Sequence, residues 1–105
     1  MVKIIQPNGI LDSVGGNRFR REITDLVESG VKTVLVDCQN VELMDSSGLG
    51  ALVMALKTLR EAGGRLSLCS VNNQLTMVLE LTGMDDVFEV FANQDEFNRA
   101  VLIEG

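Results

Sequence analysis

The run Val31-Lys32-Thr33-Val34-Leu35-Val36-Asp37-Cys38 limits the fold more than any other part of the chain. It is rich in β-branched residues, and its second half is apolar at successive positions rather than at alternate ones. A strand with one face in water alternates. A strand apolar on both faces must be covered on both, which points to a largely parallel sheet with helices packed on it.

The flanking segments supply those helices. Phe19, Ile23, Leu26 and Val27 fall at i, i+4, i+7 and i+8, so a helix is expected from about Asn17, after the Gly15-Gly16 pair breaks any regular pattern, and Gly30 stops it. Leu49, Leu52, Val53, Leu56 and Leu59 mark a second helix that begins after Asp45 and ends at Ala62-Gly63-Gly64. Leu75, Val78, Leu79 and Leu81 suggest a third, with Asn72 and Asn73 as N-cap candidates and Gly83 as its stop. Asn93 and Glu96 have capping-box spacing ahead of Phe97, Ala100 and Val101, a fourth helix. Strands are expected at Val2–Ile5, around Ile10-Leu11, at Arg65–Val71 and at Val87–Phe91. The expectation is therefore an α/β chain, a mixed and largely parallel sheet packed with about four helices. With 105 residues and no repeat, linker or low-complexity segment, residues 1–105 read as one domain.

Composition excludes several functions. A net charge of −6 opposes binding to a phosphate backbone or to an anionic membrane surface, so neither nucleic acid nor membrane is expected as a partner, and protein partners with basic patches are favoured. No apolar run approaches the length of a membrane span, and the expectation is a soluble cytoplasmic protein. The chain has no histidine, which removes the commonest general base and metal ligand. Cys38 and Cys69 lie in separate apolar strands, as buried reduced thiols do, without metal-ligand spacing. No GxSxG elbow or GxxxxGK[ST] loop is present. No catalytic residue, cofactor or metal is expected.

The chemistry that remains is Met44-Asp45-Ser46-Ser47-Gly48-Leu49-Gly50, where a buried strand ends and a helix begins. Asp and Ser are good N-caps, and a cap is the simplest account of them. Gly48 and Gly50 go beyond a cap, since each costs on the order of 1 kcal/mol of helix propensity relative to alanine. Glycines beside hydroxyls leave the backbone open to close approach. Ser47, Gly50, Ala51, Met54 and Thr58 form a face of small residues and one adaptable methionine where lysine and glutamate would be ordinary. The helix start is therefore expected to be a docking surface with Ser47 at its edge, although part of that face could instead pack on a neighbouring element.

These residues resemble the STAS domain as found in stand-alone bacterial anti-sigma factor antagonists, a fold shared with the cytoplasmic tails of sulphate transporters. The landmarks are Gly9-Ile10-Leu11-Asp12, Val34-Leu35-Val36-Asp37, the Asp45-Ser46-Ser47-Gly48-Leu49-Gly50 piece, Gly63-Gly64, and Leu81-Thr82-Gly83-Met84 before Val87-Phe88. Asn72-Asn73 stands where the family often has a proline. The resemblance implies a non-enzymatic module that, unphosphorylated, binds an anti-sigma factor/serine kinase and releases a sigma factor. It implies phosphorylation on Ser47, with Ser46 as a supporting cap or weak second acceptor, and reversal by a metal-dependent serine phosphatase. Asp45 would orient the hydroxyl and cap the helix, supported by Gly48. Ser46, Ser47, Gly50, Ala51, Met54 and Asp12 would form the partner-binding surface. The alternative is a constitutive STAS scaffold or adaptor subunit in a transporter or stress-signalling complex, for which an acceptor serine has no use.

Overall fold

The computed structural model describes residues 1–104, with side chains up to residue 101. Its elements follow the order β1 (Val2–Ile5), β2 (Gly9–Leu11), α1 (Ser13–Glu28), β3 (Thr33–Asp37), β4 (Val41–Met44), α2 (Ser46–Glu61), β5 (Arg65–Cys69), α3 (Asn73–Leu81), β6 (Glu89–Phe91) and α4 (Gln94–Glu104). A single 3₁₀ turn, Met84–Asp86, precedes β6. Strands β1, β3, β5 and β6 lie side by side in that order, and each neighbouring pair is parallel. Strands β2 and β4 form a separate parallel pair.

Strand β3 is covered on both sides, as its continuous apolar run requires. Val34 and Val36 belong to the main core with Phe19 and Ile23 of α1, with Leu52, Leu56 and Leu59 of α2, and with Leu75 and Leu79 of α3. Leu35, between them, faces the other way and packs with Cys69 and Phe97. Phe97 is fully buried, worth on the order of 2–3 kcal/mol, and meets Phe91 edge-on at 5.4 Å between ring centroids. One helix, α4, therefore closes the second face. Burial pushes the Cys38 thiol up to about 12, and it raises that of Cys69 as well. Both cysteines are free and buried, packing as small apolar side chains.

Three sequence expectations are corrected. Helix α1 begins at Ser13, four residues before Asn17, and runs through Gly15-Gly16. Leu81 is 80% exposed and takes no part in the core, since α3 ends there with Thr82 turned back on Val78. Val71 lies beyond β5, because Ser70 leaves the strand with a left-handed φ of 56°. Of the two asparagines, Asn72 is the cap: its Oδ1 accepts from Leu75 N, and its Nδ2 donates to the carbonyls of Val41 and Glu42. Gln74 exchanges two hydrogen bonds with the backbone of Met44. The outer edge of β4 is thus held by side-chain amides rather than by another strand.

A buried carboxylate ties the layers together. Asp37, 1% exposed at the end of β3, accepts from Gln6 Nε2 at 2.8 Å, Gln94 Nε2 at 2.7 Å and Gln39 N at 3.0 Å. Burial alone would raise its pKa, but those donors outweigh it and hold the carboxyl below its ordinary value of 3.8. A depressed native pKa contributes stability that is present above the unfolded value and lost as pH falls through the native one. Asp37→Asn is accordingly expected to cost about 2 kcal/mol at neutral pH, with the gap from wild type closing at a pH well below 3.8. Urea unfolding at the two pH values reads this, and a gap independent of pH would show that the carboxylate's charge is not what these donors stabilise.

Candidate functional site

Strands β2 and β4 run parallel with Leu11 opposite Met44, so Asp12 and Asp45 leave the pair side by side. Each then caps a helix. Asp12 Oδ1 accepts from Gly15 N at 3.0 Å, and Asp45 Oδ1 accepts from Gly48 N at 2.9 Å, both from extended backbone. The arrangement is written twice in the sequence, as Asp12-Ser13-Val14-Gly15 and Asp45-Ser46-Ser47-Gly48. Two helix N-termini, with the partial positive charge of their free N–H groups, therefore open toward the same end of the molecule.

Glycine sets how closely these parts approach. A Cβ on Gly16 would lie 2.9 Å from Ala51 Cβ and 3.5 Å from the Ser47 carbonyl oxygen, so α1 and α2 touch at this point. A Cβ on Gly48 would lie 1.9 Å from the Leu11 carbonyl oxygen. What comes close at Gly48 is thus the chain's own strand β2. Gly50 differs: a Cβ there would meet nothing within 4 Å. Of the two glycines that exceed the needs of a cap, one is explained by packing and the other opens to solvent.

The expected site residues divide in the same way. Asp45, Ser46, Ser47, Gly50 and Met54 are exposed, and Asp12 is half-buried. Ala51 is buried against Gly16, so its side chain belongs to the α1–α2 contact and not to the outer face. Thr58 turns its hydroxyl to the Met54 carbonyl. Asp45 does cap the helix, but its carboxylate is turned to Gly48 N, not to the Ser47 hydroxyl. The cap is therefore not Ser46. Among the described residues neither the Ser46 nor the Ser47 hydroxyl has a hydrogen-bond partner, so both are free to react.

Ser47 sits on the lip of a shallow groove of about 300 Å³ between the first turns of α1 and α2. Gly16 and Ala51 line it, with Gly50 and Ser47 from α2 and Ser13, Asn17 and Arg20 from α1. Sequence reasoning missed Arg20. The overall acidity pointed to basic partners, yet the charged side chain that lines this groove is a guanidinium. The spacing Gly16 to Arg20, one helical turn, was the available signal, but it has meaning only once Gly16 is known to touch α2.

Among the described residues no group of three or more potential metal ligands forms, and no helix is long and apolar enough to cross a membrane. The STAS domain family model matches residues 1–97. An anti-sigma F factor antagonist of Paenibacillus polymyxa is 24% identical over 94 residues, covering 89% of this chain and 80% of that one. A Thermotoga maritima protein solved by crystallography superposes with a TM-score of 0.89 at 29% identity, covering 95% of this chain and 86% of that one. The anti-sigma factor antagonist SpoIIAA, unphosphorylated, superposes with a TM-score of 0.74 at 22% identity over 95% of this chain and 88% of its own.

Proposed function

The chain belongs to the STAS domain family, and we infer that within it this protein is an anti-sigma factor antagonist switched by phosphorylation of Ser47. It is a binding module rather than an enzyme. In the unphosphorylated form the start of α2 binds an anti-sigma factor that is also a serine kinase, and a sigma factor is released. A metal-dependent serine phosphatase resets the module, in the cytoplasm where sigma factors work. The carrying observation is the state of Ser47: exposed, without a hydrogen-bond partner among the described residues, and on the first turn of a helix already capped by Asp45. A kinase can take up that hydroxyl without unfolding anything, and the helix N-terminus favours the resulting anion by about 0.3–1 kcal/mol. The names of the relatives support the reading, as does the fact that SpoIIAA has been solved in unphosphorylated and phosphorylated forms.

Incubation of the purified chain with ATP and lysate of its own host is expected to place one phosphate on Ser47, mapped by mass spectrometry, and none on a Ser47→Ala variant. Labelling of the variant to the same extent would move the acceptor elsewhere. No labelling at all, beside a serine-kinase substrate that is labelled, would favour a constitutive scaffold.

A further inference from the structure

Resting on that reading, we propose that a phosphate on Ser47 is clasped within the chain by Arg20, in the groove between α1 and α2. Three arginines lie within four residues on α1, and one of them reaches the groove beside Ser47. Arg18 lines a cavity with Ile5, Pro7 and Glu22. Arg21 lines a shallow depression with Asn17, Arg20, Thr24 and Asp25, of which Ser47 is not part. Arg20 alone of the three lines the groove that holds Ser47.

The distances are set by the helix contact. At Gly16 the two helices are close enough that a Cβ would lie 3.5 Å from the Ser47 carbonyl oxygen. Arg20 is one turn farther along α1, about 6 Å, and the groove between is lined by Gly16 and Ala51, neither of which obstructs it. Among the described residues the Arg20 guanidinium has no ion pair and no hydrogen bond, not even with Asp25 of the depression it also lines, so no bond has to break for it to turn to Ser47. The two neighbouring carboxylates, Asp12 and Asp45, are each engaged with a glycine N–H of their own helix. Asn17 and Ser13 add neutral donors on the same wall. A planar guanidinium matches two phosphate oxygens, and two helix N-termini open toward the same anion.

The clasp changes what the phosphate does. The phosphoryl group leans into the groove, and the cationic side chain beside the docking face is withdrawn from any partner.

The test installs phosphoserine at position 47 of the full chain during synthesis, so that it does not depend on any kinase. The second ionisation of the phosphate, ordinarily near about 6, is followed by phosphorus NMR in wild type, Arg20→Gln and Arg18→Gln. The carboxylates of Asp12 and Asp45 raise this ionisation and the helix N-termini lower it in all three alike. Arg20→Gln is expected to raise it by about 0.5 or more, Arg18→Gln to leave it in place, and Arg20→Lys to recover part of the shift. Thermal melting confirms that each variant is folded. Identical titration of wild type and Arg20→Gln would overturn the clasp and leave the Ser47 switch standing. A clasp seen here, with no phosphate on Ser47 in host lysate, would sink the switch alone.

Discussion

Gly48→Ala is expected to cost the protein at least about 3 kcal/mol, while Gly50→Ala, two residues on in the same helix, is expected to be neutral or to stabilise by up to about 1 kcal/mol. Propensity alone predicts the same small gain for both, since alanine is the better helix former. The surroundings separate them. A methyl group on Gly48 would sit 1.9 Å from the Leu11 carbonyl oxygen and 2.7 Å from its carbon. Those are backbone atoms of β2, which is registered against β4 and followed at once by the Asp12 cap, so they cannot move independently. Relief would require α2 to lift from the strand, taking Leu49 and Leu52 out of the core. A methyl group on Gly50 would meet only solvent. Urea unfolding of the two variants reads the contrast. Equal stabilities would mean that α2 can shift on β2 at little cost, and Gly48 would then need another explanation.

Much of the architecture is legible because its causes are local. The 3.6-residue stripe of α2 appears in the order of its leucines, and Leu52, Leu56 and Leu59 are indeed buried. The caps of α2, α3 and α4 are written as Asp45, Asn72 and Asn93, each accepting from the backbone N–H three residues later. The double-sided character of β3 follows from Val34, Leu35 and Val36 standing in a row.

What escapes the sequence has its cause elsewhere in the chain. Gly15-Gly16 looks like a helix breaker, yet α1 runs through it because the close contact between Gly16 and Ala51 outweighs the loss of propensity. The pairing of β2 with β4 joins three- and four-residue strands about 30 positions apart, too short for either to announce its partner. Asp37 closes an apolar strand, and its amide partners lie 31 and 57 residues away. The candidate site was legible in the same proportion. Asp45, Ser46 and Ser47 are local and stand exposed together, whereas Ala51 and Arg20 took their places only when α1 was laid against α2.

A phosphate on Ser47 is expected to weaken binding of the anti-sigma factor several-hundred-fold, equivalent to about 3–4 kcal/mol. The unmodified α2 face at Ser47 is small and neutral: exposed Ser46, the bare backbone at Gly50, and Met54 at 40% exposure one turn farther on, with Arg20 of α1 across the groove. A partner that fits it closely excludes water from the hydroxyl. Phosphorylation puts about −1.5 to −2 charges and three acceptor oxygens in the same place. Even clasped by Arg20, the phosphate keeps about −0.5 to −1 of uncompensated charge, which costs a few kcal/mol when an interface encloses it, and the chain is already at −6. The helix dipole returns at most about 1 kcal/mol of that, so repulsion and steric misfit at the interface win. Calorimetric titration of the host's anti-sigma factor with wild type, Ser47→Ala and the phosphoserine form separates hydroxyl from charge. Ser47→Ala should bind within about tenfold of wild type, since it loses one hydrogen bond of about 1 kcal/mol, and the phosphoserine form should all but cease to bind. Comparable affinity for the phosphorylated form would place Ser47 outside the interface, and Met54 and Gly50 would lose their role with it.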